Sequence, residues 1–331
     1  MIEPFQLLER QMLIAPLGVR FWDVATGAYV SNGLSVRVYR DDDRLHSNQA
    51  SPNASGTYVL HHASGLSEFE MGVGNPLFTD SVPARQPFMI EVTDVERRFI
   101  PLKFEAGLPC KGLFDWQKTI TEGVPLDPPV NNPSVPLYSS TLRTAPPGMA
   151  VLRAELYESP AEEINDVRKI RPAAWAMIEA RSGGRLLARG IADEKGRIVL
   201  IFAYPAPHDS SSSFSTSPAG PFTAGLPFRQ QEWTIQLEAF YEPSTLSSPP
   251  ASLSPLQPFG SSSRDEPSIP ILSDILKQSP VNLFLDEAQT EPLTEVTLSY
   301  GPKVLVPSLS SPVGSPPNPR TLSVLFVSPA D

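Results

Sequence analysis

The sequence predicts an all-β protein built as two small antiparallel β-sandwiches joined by proline-rich linkers. Three observations carry this. Apolar and polar residues alternate along several short runs, as in Leu34, Val36 and Val38 against Ser35 and Arg37, the period of a half-buried strand. Turn residues recur between these runs. The 331 residues include 38 prolines, roughly twice the usual share of about 5%. Proline lacks a backbone donor and breaks helices, so such a chain needs many loops, strand edges and connections. At about 100–200 residues per domain the length predicts two domains.

Residues 1–115 read as the first sandwich. "GVRFWDVATGAYVSNGLSVRVYR" supplies strands around "ATG", with Tyr39 on the polar face and a turn at Asp41–Asp43. "SGTYVLHH", "QPFMIEVTD" and "RRFIPLKFEA" supply further strands. Residues 116–148 hold "EGVPLDPPVNNPSVPLYSS", which has too many prolines for a regular element and reads as an extended linker. Residues 149–331 read as the second sandwich. "GMAVLRAELYE" and the run from Pro172 to Pro205 give four strands, with turns at Ser182–Gly184 and Asp193–Gly196. Trp233, Ile235, Leu237 and Ala239 alternate along another strand, and Trp175 is placed in a strand as well. Ser/Pro-rich stretches at 205–228 and 243–268 read as long excursions from the β core. One short helix is predicted near 269–279, in "IPILSDILKQSP". The C-terminal runs "LTEVTLSYG", "PKVLVPS" and "TLSVLFVSPAD" are too short for a domain and are expected to complete the second sandwich as edge strands.

The net charge of −10, without any basic run, argues against nucleic acid as a partner. A single cysteine, Cys110, allows no intrachain disulfide and fits a reducing compartment. No window is long and apolar enough for a transmembrane helix, and the N-terminus lacks the pattern of a secretory signal. The expected location is the cytoplasm.

The search for chemistry favours structural readings. His61 and His62 point to opposite faces of one strand, so even with His46 a metal site lacks ligand spacing; His208 lies in a loop. Asp41–Asp43 reads as a solvated turn rather than a calcium loop. Cys110 beside Lys111 is more simply a buried cysteine than a nucleophile. Glu162 and Glu163 read as a solvent-facing loop pair. The sequence contains no G-x-S-x-G, P-loop, GxGxxG or HExxH motif. No catalytic residue, cofactor or metal is predicted. Trp22 and Trp116 flank the first sandwich as candidate exposed anchors. With Tyr138, Phe222 and Phe228 in the proline-rich stretches, they form the candidate partner-binding set.

"VRFWDVATGAYVSNGLSVRVY … SGTYVLHH" and "AWAMIEARSGGRLLARGIADEKGRIVLIFAYP" resemble carboxypeptidase-regulatory-like (transthyretin-like) β-sandwiches, which carry a "DxxTGxxVxxGLxVxV"-like opening and a later "DxxGxFxL" hairpin. The second copy has that hairpin at Asp193–Leu200, while the first has Ala54-Ser55-Gly56-Thr57-Tyr58 in its place. The wider layout, in "FWDVATG", "RRFIPLKFEAGLPCKGLF", "VPLYSSTLRTAPPGMAVLRAELYE" and the Pro/Ser-interrupted C-terminus, resembles proteins encoded with bacterial phage-tail-like contractile injection systems. That resemblance implies a non-enzymatic structural component at or near the baseplate. It would be part of a particle assembled in the cytoplasm, in several copies, with baseplate, spike, tube or sheath subunits as partners. A glycan- or cell-envelope-binding sandwich is the alternative, and a hydrolase the third reading.

Overall fold

The structure is a computed structural model that describes residues 14–40, 42–71, 84–110, 112–116, 133–159, 162–164, 167–169, 171–205, 232–247, 269–300, 304–305 and 323–329. It is an all-β protein with two short α-helices among the described residues.

The first body contains β1 (Leu17–Val19), β2 (Phe21–Asp23), β3 (Leu34–Arg40), β4 (Asp43–Pro52), β5 (Tyr58–Leu60), helix α1 (Ser67–Glu70), β6 (Gln86–Asp94) and β7 (Leu102–Leu108). Six of the strands form one sheet in the order β1-β5-β4-β3-β6-β7. Its two ends meet. Past β7 the chain runs parallel to β1, with Cys110 N–H donating to Pro16 O at 2.8 Å and Phe114 N–H to Gly18 O at 2.7 Å. The sheet therefore curls around its own core. Phe104 lies at the centre, stacked on Phe114 and edge-on to Trp116 and Phe21, with Tyr58 edge-on to Phe21. Each such ring removed from water contributes on the order of 2–3 kcal/mol.

The structure differs from the sequence expectation at two places in this body. Tyr39, expected on a polar face, is buried because its hydroxyl donates to Glu91 and Arg44 lies over its ring. The expected strand from Arg97 onward starts only at Leu102, because Phe99 and Ile100 pair instead with Ser139 and Tyr138.

Where it is described, the proline-rich connection is extended and packs on its neighbours. Val135–Leu137 forms β8, which pairs in parallel with β2. Val135, Leu137 and Tyr138 are core residues.

The second body contains β9 (Met149–Glu158), β10 (Glu162–Ile164), β11 (Val167–Lys169), β12 (Met177–Ser182), β13 (Arg185–Ile191), β14 (Arg197–Ala203), β15 (Glu232–Phe240), helix α2 (Leu272–Leu276), β16 (Pro280–Val281), β17 (Leu283–Phe284), β18 (Glu295–Ser299), β19 (Val304–Leu305) and β20 (Ser323–Val327). One sheet runs β13-β12-β15, with β16 and β18 sharing the far edge of β15. The other runs β14-β9-β20-β17, with β19 also on β9. Between them lies a second core of small and aliphatic residues around Trp233 and Tyr241. β20 does not cap an edge: it sits between β9 and β17, parallel to β9. Trp175 lies before β12, not in a strand, at φ 65°.

The two bodies share buried surface. Ala174, Trp175, Met177 and Ile191 from the second belong to the same apolar cluster as the first body's core. Helix α2 joins them: Leu272, Ile275 and Leu276 enter that cluster, and Lys103 N–H donates to Pro270 O at 2.9 Å. Gln278 bonds both Trp175 O and the N–H of Glu242.

Candidate functional site

The most built-up polar region is the strap formed by residues 134–148, which runs from the first body onto the outer face of the second. Ser140 N–H donates to Arg98 O and its hydroxyl to Arg97 O. Arg143 makes a two-pronged contact with Asp23, at 2.7 and 2.5 Å, and also donates to Ser139 Oγ. Its guanidinium lies 5.0 Å from the centre of the Phe99 ring, and Arg98 flanks the same ring. Burial pushes the Asp23 carboxyl up, but hydrogen bonds from Arg143 and Thr26 outweigh it and hold the group below its ordinary value. From the second body, Arg153 of β9 donates to Thr141 O at 2.5 Å and Arg143 O at 3.1 Å. Val151, Val199 and Ile201, on the outer face of β9 and β14, are buried against Ala25, Ala145 and Met149. One proline-rich segment thus adds a strand to the first body and covers part of a sheet face on the second.

Beside the strap, Tyr138 lies fully buried against the Arg189 guanidinium. Burial raises its hydroxyl pKa and Arg189 partly offsets that, so the phenol stays neutral. Arg189 and Arg181 both bind Glu179. On the first body Glu91 gathers Tyr39, Arg37, Arg44 and Lys103. Burial and Glu91 together push the Tyr39 hydroxyl up to about 12. These buried carboxylates are held by cations and donors, an arrangement that fixes geometry.

The predicted partner-binding residues do not converge. Trp116 and Tyr138 are about 1% exposed and have no surface to offer a partner; each fills the first core, so both are withdrawn as contact residues. Trp22 is half-buried on β2, opposite Pro136. Phe222 and Phe228 lie outside the described residues. His46 pairs with Asp43 at the exposed start of β4, and Asp42 with Arg40 at the end of β3. His62 sits at φ 62°, its N–H bonded to Glu70. Cys110 donates to Gly107 O, and burial raises its thiol pKa. Asp41 and His208 lie outside the described residues, as do the side chains of Glu162 and Glu163. Among the described residues no three His, Cys, Asp or Glu side chains are placed to hold a metal ion. No helix among them is long and apolar enough to cross a membrane.

Sequence reasoning missed the strap's partners Asp23, Arg143 and Arg153. Asp23 alone had a signal, as the aspartate of "FWDVATG": it caps its own turn by accepting from Ala25 N–H and Thr26 Oγ.

No protein-family model matches the chain, and a search of curated proteins finds no match.

Proposed function

We propose that this chain is a non-enzymatic structural component of a phage-tail-like contractile injection system, at or near the baseplate, that docks partner subunits through sandwich edges and proline-rich arms. The observation that carries the docking mode is the strap. A proline-rich stretch of this chain already binds a sandwich by strand addition, β8 on β2, and by covering a sheet face. The other Ser/Pro stretches have the same composition, and partner surfaces of similar build would take them in the same way. The shared core suits a load-bearing unit, because the two bodies are packed rather than tethered. The injection-system assignment itself rests on the sequence resemblance.

The test is affinity purification of the tagged chain from its native cells at endogenous level, followed by mass spectrometry. Sheath, tube, spike or baseplate subunits in stoichiometric amounts are expected. A clean monomer that brings nothing down would sink the reading.

A glycan- or envelope-binding role has one observation in its favour. Tyr204 and Tyr300, at the ends of β14 and β18, lie 5.0 Å apart beside Trp233, and Tyr300 is 38% exposed. Aromatic faces at a loop end suit sugar stacking. Binding on a glycan array that is lost in Tyr300→Ala would favour it.

A further inference from the structure

Where the strap crosses the outer face of the second body it leaves a cleft of about 140 Å³, lined by Thr141, Leu142, Arg153, Ala154, Arg197 and Ile198. Drug-sized ligands take roughly 300 Å³ or more, so this space suits a single small group. Two cations line it. Arg153 and Arg197 stand on adjacent antiparallel strands: Arg153 is opposite Val199, and Arg197 lies two residues before Val199 on β14, on the same face.

Their donors are only partly used. Arg153 spends its two terminal nitrogens on the carbonyls of Thr141 and Arg143, and its Nε makes no hydrogen bond among the described residues. Arg197 gives Nε and Nη2 to Asp193, and its Nη1 makes none among them. The charge balance differs between the two. Arg197 is paired by Asp193, and Glu155 lies opposite it. Arg153 has only neutral carbonyl partners, and burial alone lowers its pKa. Glu155, two residues along on the same strand face, accepts from Tyr157. A half-buried guanidinium without a carboxylate is costly unless an anion reaches it. Elsewhere in this chain Arg98, Arg143, Arg181 and Arg189 all reach carboxylates.

We infer that this cleft is an oxyanion site, in which Arg153 and the free edge of Arg197 take one carboxylate or phosphate group. Leu142, 65% exposed at the rim, offers an apolar contact to whatever carries the group. The inference does not depend on the injection-system reading.

The test is a titration of the full chain, labelled with ¹⁵N-arginine, followed through the Nε–H resonances at constant ionic strength. Arg153→Lys and Arg197→Lys assign the two peaks. The probes are acetate, N-acetylglutamate and inorganic phosphate, with chloride as control. A saturable shift of the Arg153 peak is expected, with a smaller one at Arg197, whose free Nη1 belongs to the same guanidinium as its Asp193-bound Nε, and none at Arg189, which does not line the cleft. Response to acetate and N-acetylglutamate alone makes the ligand a protein or metabolite carboxylate; response to phosphate alone makes it a phosphate group. Leu142→Glu places a competing carboxylate at the rim without touching the core. It should weaken probe binding by about tenfold, since a like charge at the rim repels the incoming anion. The absence of saturable shifts with any probe, or equal shifts at every arginine including Arg189, would overturn the inference.

Discussion

The turns Asn53–Thr57 and Asp193–Arg197 have the same local structure and different jobs. In each, the first side chain accepts the N–H groups two and four residues on, at 2.9–3.0 Å. In each, a glycine at the fourth position has φ 73° and donates to the first residue's carbonyl at 2.9 Å. The first residue's N–H bonds the fifth residue's carbonyl at 2.8 Å in both. Yet Asn53 links β4 to β5 within one sheet, whereas Asp193 carries the chain from β13 in one sheet to β14 in the other. A short Asx turn closes a hairpin; the surrounding strands decide whether that hairpin lies flat or folds over a corner. The apparent gap in the first copy of the "DxxG" hairpin is thus a substitution of asparagine for aspartate at the same structural position.

The largest expected effect tests a third Asx turn, at Asp23, whose carboxylate is shared with a distant partner. Arg143→Met leaves that buried carboxylate unpaired and should cost about 3–5 kcal/mol in urea unfolding. The wild-type pH dependence follows from the depressed pKa. Stability from the pair is complete above the ordinary carboxyl value of 3.8 and is lost as pH falls through the lower folded value. Unfolding midpoints measured between those limits should fall with acid in wild type, and that component should be missing in Arg143→Met.

Next is Gly196→Ala. An added Cβ would lie 2.3 Å from Leu156 O, a backbone atom that already accepts from Ala173 N–H, and φ is unsuited to alanine. A loss of about 3 kcal/mol is expected by chemical denaturation. Asp193→Ala should cost about 2 kcal/mol, as two backbone donors and Arg197 lose their acceptor; Asp193→Asn should restore roughly half, because the amide oxygen still serves the backbone. Gly56→Ala should cost about 1–2 kcal/mol, less than Gly196→Ala, since its nearest obstacle is the Ser31 side chain. Equal losses at the two glycines would mean the corner imposes no extra constraint. Asn53→Asp should change stability by no more than about 0.5 kcal/mol, measured by thermal melt.

Strands that bury one face were legible: β3 and β15 alternate along their length. β4 was not, because "DRLHSNQASP" is mostly exposed and polar, and Leu45 is 95% exposed. β8 was hidden by Pro136, which is compatible with its short parallel pairing to β2. Trp116 read as an exposed anchor because it flanks the first sandwich, and Tyr138 as a partner contact because it lies in a proline-rich stretch, yet both are held by residues distant in sequence. The strap's contacts to Asp23 and Arg153, and the cleft beside Arg197, come from residues brought together by the fold. No local spacing announces them.

The position of β20 sets the order in which the second body can form. Ser323–Val327 fills the gap between β9 and β17, so the Ala154–Glu158 stretch of β9, made far earlier, must wait with an open edge until residue 327 has left the ribosome. Long-range parallel pairing of this kind folds slowly and leaves unpaired edges exposed during synthesis. A chain stalled or cut before Ser323 would present β9 to other nascent copies, so yield from a recombinant host should depend on synthesis temperature and on chaperone supply more than on the stability of the finished fold.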